Sequence, residues 1–393
     1  MYLNGKRIVL GVCGGIAAYR VAELARMLMK QGAEVRCVMT EAACEFISPL
    51  TFEALTGEEV HRQLFDLTRE RNMGHIQLAR WADVVLVAPA TANSIAKFAH
   101  GVADDLLTTL MQVCEAPVLL APAMNASMWA SEATKRNVKS LCSRGMHIIE
   151  PASGTLACGE QGQGRLAELQ DIIDALVPLL ASDELKGQTW VINAGPTVEA
   201  WDAVRILTNR ASGKLGVAMA IHAAMMGASV TLVAGPGVEL TPDWLERINI
   251  VSADEMLSAC LQRAVHTDVF IGAAAVSDFR FAQSSNEKMK RGNMTHVDVR
   301  LLANPDIIAA VAAMPDRPRK VIAFAAETSD LIAHAKEKLA RKHVDAIVAN
   351  QTLNMGKDEM AGYWLTDKTE SFIECMSKQA FAREIVMKIV EGK

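Results

Sequence analysis

Pro117-Val118-Leu119-Leu120-Ala121-Pro122-Ala123-Met124-Asn125-Ala126-Ser127-Met128-Trp129 is the stretch on which the fold turns. Its first part is a short apolar run, which reads as a buried parallel strand. Pro122 lacks the backbone donor that a strand needs and ends it. Open α/β sheets bind their ligands at the carboxyl ends of such strands. At that end this chain places one amide, Asn125, between two thioethers, Met124 and Met128, beside the indole of Trp129. The amide offers two donors and an acceptor, enough to orient a small polar group such as a carboxylate against an apolar wall. From composition alone, the same residues also read as a core loop capped by an asparagine.

Outward from that strand the alternation continues. Strands are predicted at 7–12, 34–39, 82–88, 118–121 and 147–150, with helical periodicity between them, for example at 17–30. An amphipathic helix at 168–180 closes this half, and 181–187 reads as a short polar linker. A second alternating series follows, with strands at 189–193, 229–233, 248–251, 269–272, 320–324 and 346–349. Strand–helix alternation predicts parallel, doubly wound sheets. The expected architecture is therefore α/β, with two Rossmann-like domains of mostly parallel strands, 1–181 and 187–393.

The 393 residues suit two or three domains, and half of them are hydrophobic with few aromatics. A formal charge of −5 argues against non-specific nucleic-acid binding. No apolar run is long and uncharged enough to suggest a membrane span, and the first residues do not read as a signal peptide. The eight cysteines form neither a CxxC pair nor a Cys/His metal pattern, so no protein metal ligand is identified and a reducing cytoplasm is expected.

Three turns in the first half are candidates for holding a cofactor. The first strand runs into Gly11-Val12-Cys13-Gly14-Gly15, the second ends at Thr40, and the third in Ala88-Pro89-Ala90-Thr91-Ala92-Asn93-Ser94. Glycines admit close backbone approach, and helix starts attract phosphate. All three also read as ordinary capped strand–helix turns. The glycine spacing is not GxGxxG, which disfavours an NAD-type Rossmann oxidoreductase. His75 precedes a short helix, where a lone histidine is ordinarily structural. Cys158 lies in the glycine-rich run 151–165, which reads as a mobile loop able to swing over a pocket.

In the second half, Ala194-Gly195-Pro196-Thr197-Val198-Glu199 and Val204-Arg205-Ile206-Leu207-Thr208-Asn209-Arg210-Ala211-Ser212-Gly213-Lys214 lead into a helix whose start could hold an anion. The spacing is not that of a Walker A loop. Lys338 and Lys342 are four apart on one helical face, so both could reach one triphosphate; a solvated face is the plain alternative.

Pro-x-Met-Asn-x-x-Met-Trp, Gly-Gly-Ile-Ala-Ala-Tyr, His-Ile-x-Leu-x-x-Trp-Ala-Asp and Leu-Ala-Cys-Gly-x-x-Gly-x-Gly-Arg-Leu together resemble the homo-oligomeric flavin-containing cysteine decarboxylases. The Cys-bearing loop favours their phosphopantothenoylcysteine decarboxylases over flavin prenyltransferases. The resemblance implies FMN held by Gly14, Gly15, Thr40, Pro89, Ala90, Thr91 and Asn93. It also implies a carboxylate clamp at Asn125 with Met124 and Met128, a catalytic His75, and Cys158 as proton donor.

The second half resembles the phosphopantothenate–cysteine ligases through Gly-Pro-Thr-x-Glu, Val-Arg-x-Ile-x-Asn, Ala273-Ala274-Ala275-Val276-Ser277-Asp278, Glu287-Lys288-Met289-Lys290, Asn304-Pro305-Asp306-Ile307 and Phe324-Ala325-Ala326-Glu327-Thr328. This implies Lys288 and Asn209 in catalysis. It implies Arg205, Ala273, Ala274, Asp278, Asn304, Pro305, Asp306, Ile307, Phe324, Lys338 and Lys342 in holding substrate and nucleotide. The ligase pattern is departed from at Ala203, Ala211, Met289, Arg291 and across 350–360. In this order the two halves resemble the bifunctional enzymes of coenzyme A synthesis. The implied partners are 4'-phosphopantothenate, cysteine, CTP and Mg2+. The implied assembly is a homo-oligomer built on trimers, extended to a dodecamer, with ligase-domain dimers. A non-catalytic regulatory subunit of the flavoprotein fold is the alternative, which intact His75, Asn125 and Cys158 disfavour.

Overall fold

A computed structural model of the chain describes residues 3–64, 74–156, 159–290, 295–327, 330–351 and 358–392. It divides into two compact units, Met1–Leu180 and Ala181–Lys393.

In the first unit, strands β1 (Arg7–Val12), β2 (Glu34–Met39), β3 (Val84–Ala90), β4 (Val118–Pro122) and β5 (His147–Ile148) form a parallel sheet in the order β2-β1-β3-β4-β5. β3 and β4 are buried along their whole length, as parallel strands covered on both faces must be. The core on one face packs Val9, Val85 and Leu120 against Ile95, Phe98 and Leu110 of the flanking helices. Chain order reverses between β1 and β3, and a ligand crevice belongs at the carboxyl ends there.

Two readings change. β3 runs two residues later than expected, through Pro89 and Ala90, so both are buried strand residues rather than turn residues. The run 151–165, read as a mobile loop, forms an antiparallel hairpin of β6 (Ala152–Thr155) and β7 (Gln161–Arg165). Backbone bonds supply the order its side chains do not advertise: Leu156 N–H donates to Glu160 O at 2.8 Å, and Met124 N–H to Gly164 O at 2.9 Å.

In the second unit, β8 (Thr189–Ala194) leads to a small antiparallel pair, β9 (Val198–Ala200) and β10 (Ile206–Thr208). Then come β11 (Ser229–Ala234), β12 (Glu246–Asn249), β13 (Val269–Gly272) and a second small pair, β14 (Phe279–Phe281) and β15 (Leu301–Ala303). β16 (Lys320–Glu327), β17 (Ala346–Gln351), β18 (Glu359–Leu365) and β19 (Glu370–Ser377) complete the series. The main sheet runs β12-β11-β8-β13-β16-β17-β18-β19, parallel through β17 and antiparallel thereafter. The parallel part has the doubly wound Rossmann order, with its reversal between β8 and β13. The antiparallel pair β18–β19 and the two small pairs were not anticipated. The segment 181–187 packs within the second unit: Ser182 N–H and Leu185 N–H donate to Met225 O and Met226 O at 2.7 and 2.6 Å, and Leu185 is buried. Among the described residues no helix is long and apolar enough to cross a membrane.

Candidate functional site

Three strand ends meet at the β1/β3 reversal. Gly14 lies so close to the turn after β2 that a Cβ there would sit 2.5 Å from Ala42 Cβ and 2.7 Å from its carbonyl. Only glycine allows that approach. Thr40 caps the helix Glu41–Cys44, its hydroxyl accepting from Ala43 N–H at 3.2 Å. Thr91 caps Ala92–His100, accepting from Ser94 N–H at 3.2 Å, and Asn93 stands exposed in the first turn. Behind them the Cys13 thiol is buried. Burial pushes it up to about 11, against hydrogen bonds from Ser94 and Thr91 that lower it, so it is an unreactive wall.

These residues border a cavity of about 1120 Å³ whose lining includes Gly14, Gly15, Thr40, Thr91, Asn93 and also Met124, Asn125 and Met128. The cofactor candidates and clamp candidates thus share one space. Pro89 and Ala90 support it from within β3 and do not line it.

Asn125 caps the short helix Ala126–Ala130, its Oδ1 accepting from Ser127 N–H at 2.8 Å. That bond fixes the amide's orientation and turns Nδ2 toward β7's entry, where it donates to Glu160 Oε2 at 2.8 Å. The cavity also holds Lys97, ion-paired with Asp104 at 2.8 Å; its ammonium donates a hydrogen bond to that carboxylate, which raises its pKa. Arg20 lines it too and pairs with Glu168 at 2.8 Å. Sequence reasoning missed Glu160, Lys97 and Arg20, since charged residues on helices and loops carry no period of their own. His75, on the helix Gly74–Trp81, does not line the cavity of its own chain. Cys158 lies outside the described residues.

In the second unit the ends of β8 and β13 are knitted by side chains. Buried Asn193 accepts from Ala274 N–H at 2.9 Å, and buried Thr197 accepts from Ser277 N–H at 3.0 Å. Asn209 donates through Nδ2 to Ala275 O and Val276 O at 2.9 and 3.2 Å, so it stands against the Ala275-Val276 backbone just after β13. Asn304 donates to Ser277 O at 2.8 Å and accepts from Arg280 at 2.9 Å, which brings Pro305 and Asp306 to the same edge beside Asp278.

Asp202, with no side-chain exposure, accepts from the N–H groups of Val204, Arg205 and Met289 and pairs with the Arg205 guanidinium. Burial alone would raise its pKa; the three backbone bonds and Arg205 outweigh that and bring it down to about 2. Through Met289 it anchors the segment that carries exposed Lys288. Lys342 is engaged with Asp306 at 2.8 Å, and Asp306 in turn caps the helix Ile307–Ala312. Ile307 is buried in the core, and Phe324 is half-buried in β16.

Strand-end turns that share one cavity with the Met124–Asn125–Met128 turn, followed by a Rossmann-order unit with its own reversal, define a two-part α/β protein with a ligand-sized cavity in its first part. Residues 2–181 match the flavoprotein family, and 185–392 match the C-terminal domain of the DNA/pantothenate metabolism flavoproteins. The chain is 43% identical over 99% of its length, and 99% of the relative's, to the coenzyme A biosynthesis bifunctional protein CoaBC of Vibrio parahaemolyticus. It is 43% identical to that of Haemophilus influenzae, over 100% of this chain and 98% of the relative. A crystal structure of the C-terminal domain of a CoaBC protein covers 54% of this chain and 98% of its own, at 32% identity and a TM-score of 0.47. The chain belongs to the CoaBC family of bifunctional coenzyme A biosynthesis enzymes, which join a flavoprotein decarboxylase to a ligase.

Proposed function

We propose that the first unit decarboxylates phosphopantothenoylcysteine with FMN, and that the second makes that compound from phosphopantothenate and cysteine at the expense of CTP. The observation that carries the reading is the single cavity lined by both Thr40/Thr91-capped turns and the Met124–Asn125–Met128 clamp. Glycine-permitted approach at Gly14, two hydroxyl-capped helix starts and apolar thioethers suit a phosphorylated, planar cofactor.

Carbon dioxide loss from a cysteine carboxylate leaves an electron pair with no sink. Bound FMN would supply the means to make one: two-electron oxidation of the substrate's CH2–SH to a C=S group gives that electron pair somewhere to go, and the two electrons are returned after carbon dioxide has left. Asn125 would hold the carboxylate, Met124 and Met128 would exclude water, and Cys158 would deliver the final proton. His75 would enter the site from a neighbouring subunit. In support, Ile16, Tyr19 and Met128 are 60%, 64% and 48% exposed at the rim of the cavity, an apolar mouth suited to a second copy. A trimer-based assembly, with ligase units pairing outside it, follows from this reading.

In the ligase unit, a carboxylate oxygen of phosphopantothenate would attack the α-phosphorus of CTP and release pyrophosphate. The cysteine amine would then attack the acyl carbon and release CMP. Lys288 would offset charge at the phosphates, while Asn209 and Arg205 would hold the acyl group. Mg2+ would come with the nucleotide, balancing the triphosphate. The test is direct. The purified chain should be yellow with flavin absorption bands, and phosphopantothenate, cysteine and CTP should yield first phosphopantothenoylcysteine and then phosphopantetheine. A colourless protein that completes neither step would overturn the proposal.

A further inference from the structure

In the cavity of the first unit the clamp amide already has a carboxylate on it. Asn125 Nδ2 donates to Glu160 Oε2 at 2.8 Å, and the Ser127 bond to Oδ1 leaves Asn125 only that orientation. Glu160 is not brought there by a loose side chain. It immediately precedes β7, whose Gly164 carbonyl accepts from Met124 N–H at 2.9 Å, and a Cβ on Gly164 would stand 2.2 Å from Met124 O. A Cβ on Gly162 would meet Ala126 Cβ at 2.7 Å. The hairpin is therefore seated on both sides of Asn125, and Glu160 is carried in with it.

We propose that Glu160 is a specificity-determining residue of the decarboxylase site, an internal carboxylate that a ligand must displace from Asn125. This rests on the reading of Asn125 as the substrate's carboxylate clamp. Two carboxylates hydrogen-bonded to one amide nitrogen would lie close together, and their like charges disfavour joint occupancy. A substrate bearing a carboxylate replaces Glu160 and recovers an equivalent charge-assisted bond. A ligand without a carboxylate has nothing to offer Asn125 and leaves Glu160 in place. After carbon dioxide is lost, the amide returns to Glu160, so the product is not held by the clamp.

The experiment compares Glu160→Gln and Glu160→Ala with the wild-type full chain. It measures KM for phosphopantothenoylcysteine and the inhibition constant of phosphopantetheine. Both variants should lower KM about two- to fivefold, the range for an exposed charged contact, and leave the product's inhibition constant where it was. A general loosening of the hairpin would shift both constants together, and that result, or an unchanged or raised KM, overturns the proposal. Asn125→Ala separates this from failure of the underlying reading. If the clamp is right, Asn125→Ala loses turnover whatever Glu160 does; if Asn125→Ala turns over with wild-type KM, the clamp itself is wrong. Titrating the substrate into Glu160→Gln/Asn125→Ala, followed by flavin absorbance, should show no tightening relative to Asn125→Ala alone.

Discussion

At Asp202 three backbone N–H groups and a guanidinium converge on one buried carboxylate, and the group they hold is the base of the Lys288 segment. Its pKa of about 2 lies below the ordinary 3.8. A folded-state pKa that is depressed stabilises the fold fully above the unfolded value, and the contribution is lost as pH falls through the folded one. The stability difference between wild type and Asp202→Asn should therefore be constant near neutrality and shrink between about pH 4 and 2. Urea unfolding at several pH values, with wild type and variant in parallel, measures it. A difference that persists unchanged to pH 2 would mean that Asp202 acts only by packing. Asp202→Asn should also slow use of CTP more than it lowers flavin content. Asn125, Thr40 and Thr91 were legible because each sits next to a strand that announces itself. Asp202 was not: its bonds to Val204 and Arg205 are local, but the one that ties it to the Lys288 segment comes from Met289, 87 residues away.

Among the elements, the parallel strands were readable because burial on both faces writes an unbroken apolar run. The hairpin β6–β7 was not, since Ala-Ser-Gly-Thr and Gln-Gly-Gln-Gly-Arg carry no apolar alternation. Its order comes from the Met124 loop, to which its glycines let it approach. Gly164→Ala should thus separate β7 from Met124 O, a clash of the overpacking kind that costs about 1–3 kcal/mol. Decarboxylation should fall at least tenfold while flavin stays bound. Gly14→Ala makes the opposite cut: its Cβ would press on Ala42 backbone atoms at 2.7 Å, at the Gly14–Thr40 end of the cavity. That variant should lose flavin on gel filtration. The flavin-to-protein ratio and turnover, measured together, check both, and the same defect in both variants would refute the division of the cavity.

On the scale of the whole molecule, the break between the units should be sharp, and its position is open to test. The polar composition of 181–187 suggested a linker that few contacts cross. In the structure its backbone is bound to the end of the helix Lys214–Met225, Leu185 is 1% exposed, and a Cβ on Gly227 would lie 2.6 Å from Ser182 O. Composition could not show this, because one leucine among charged residues does the packing. A fragment 187–393 would lose that leucine and both backbone bonds; 181–393 keeps them. Burying one leucine side chain is worth about 1.5–3 kcal/mol. The longer fragment should therefore resist urea by about that amount more than the shorter, with the same slope against denaturant. Both should be colourless and consume CTP, phosphopantothenate and cysteine. Fragment 1–181 should remain yellow and decarboxylate added phosphopantothenoylcysteine. Equal midpoints for the two ligase fragments would show that Leu185 contributes nothing to the second unit. Loss of flavin from 1–181 would show that the first unit needs more of the chain than its own sheet.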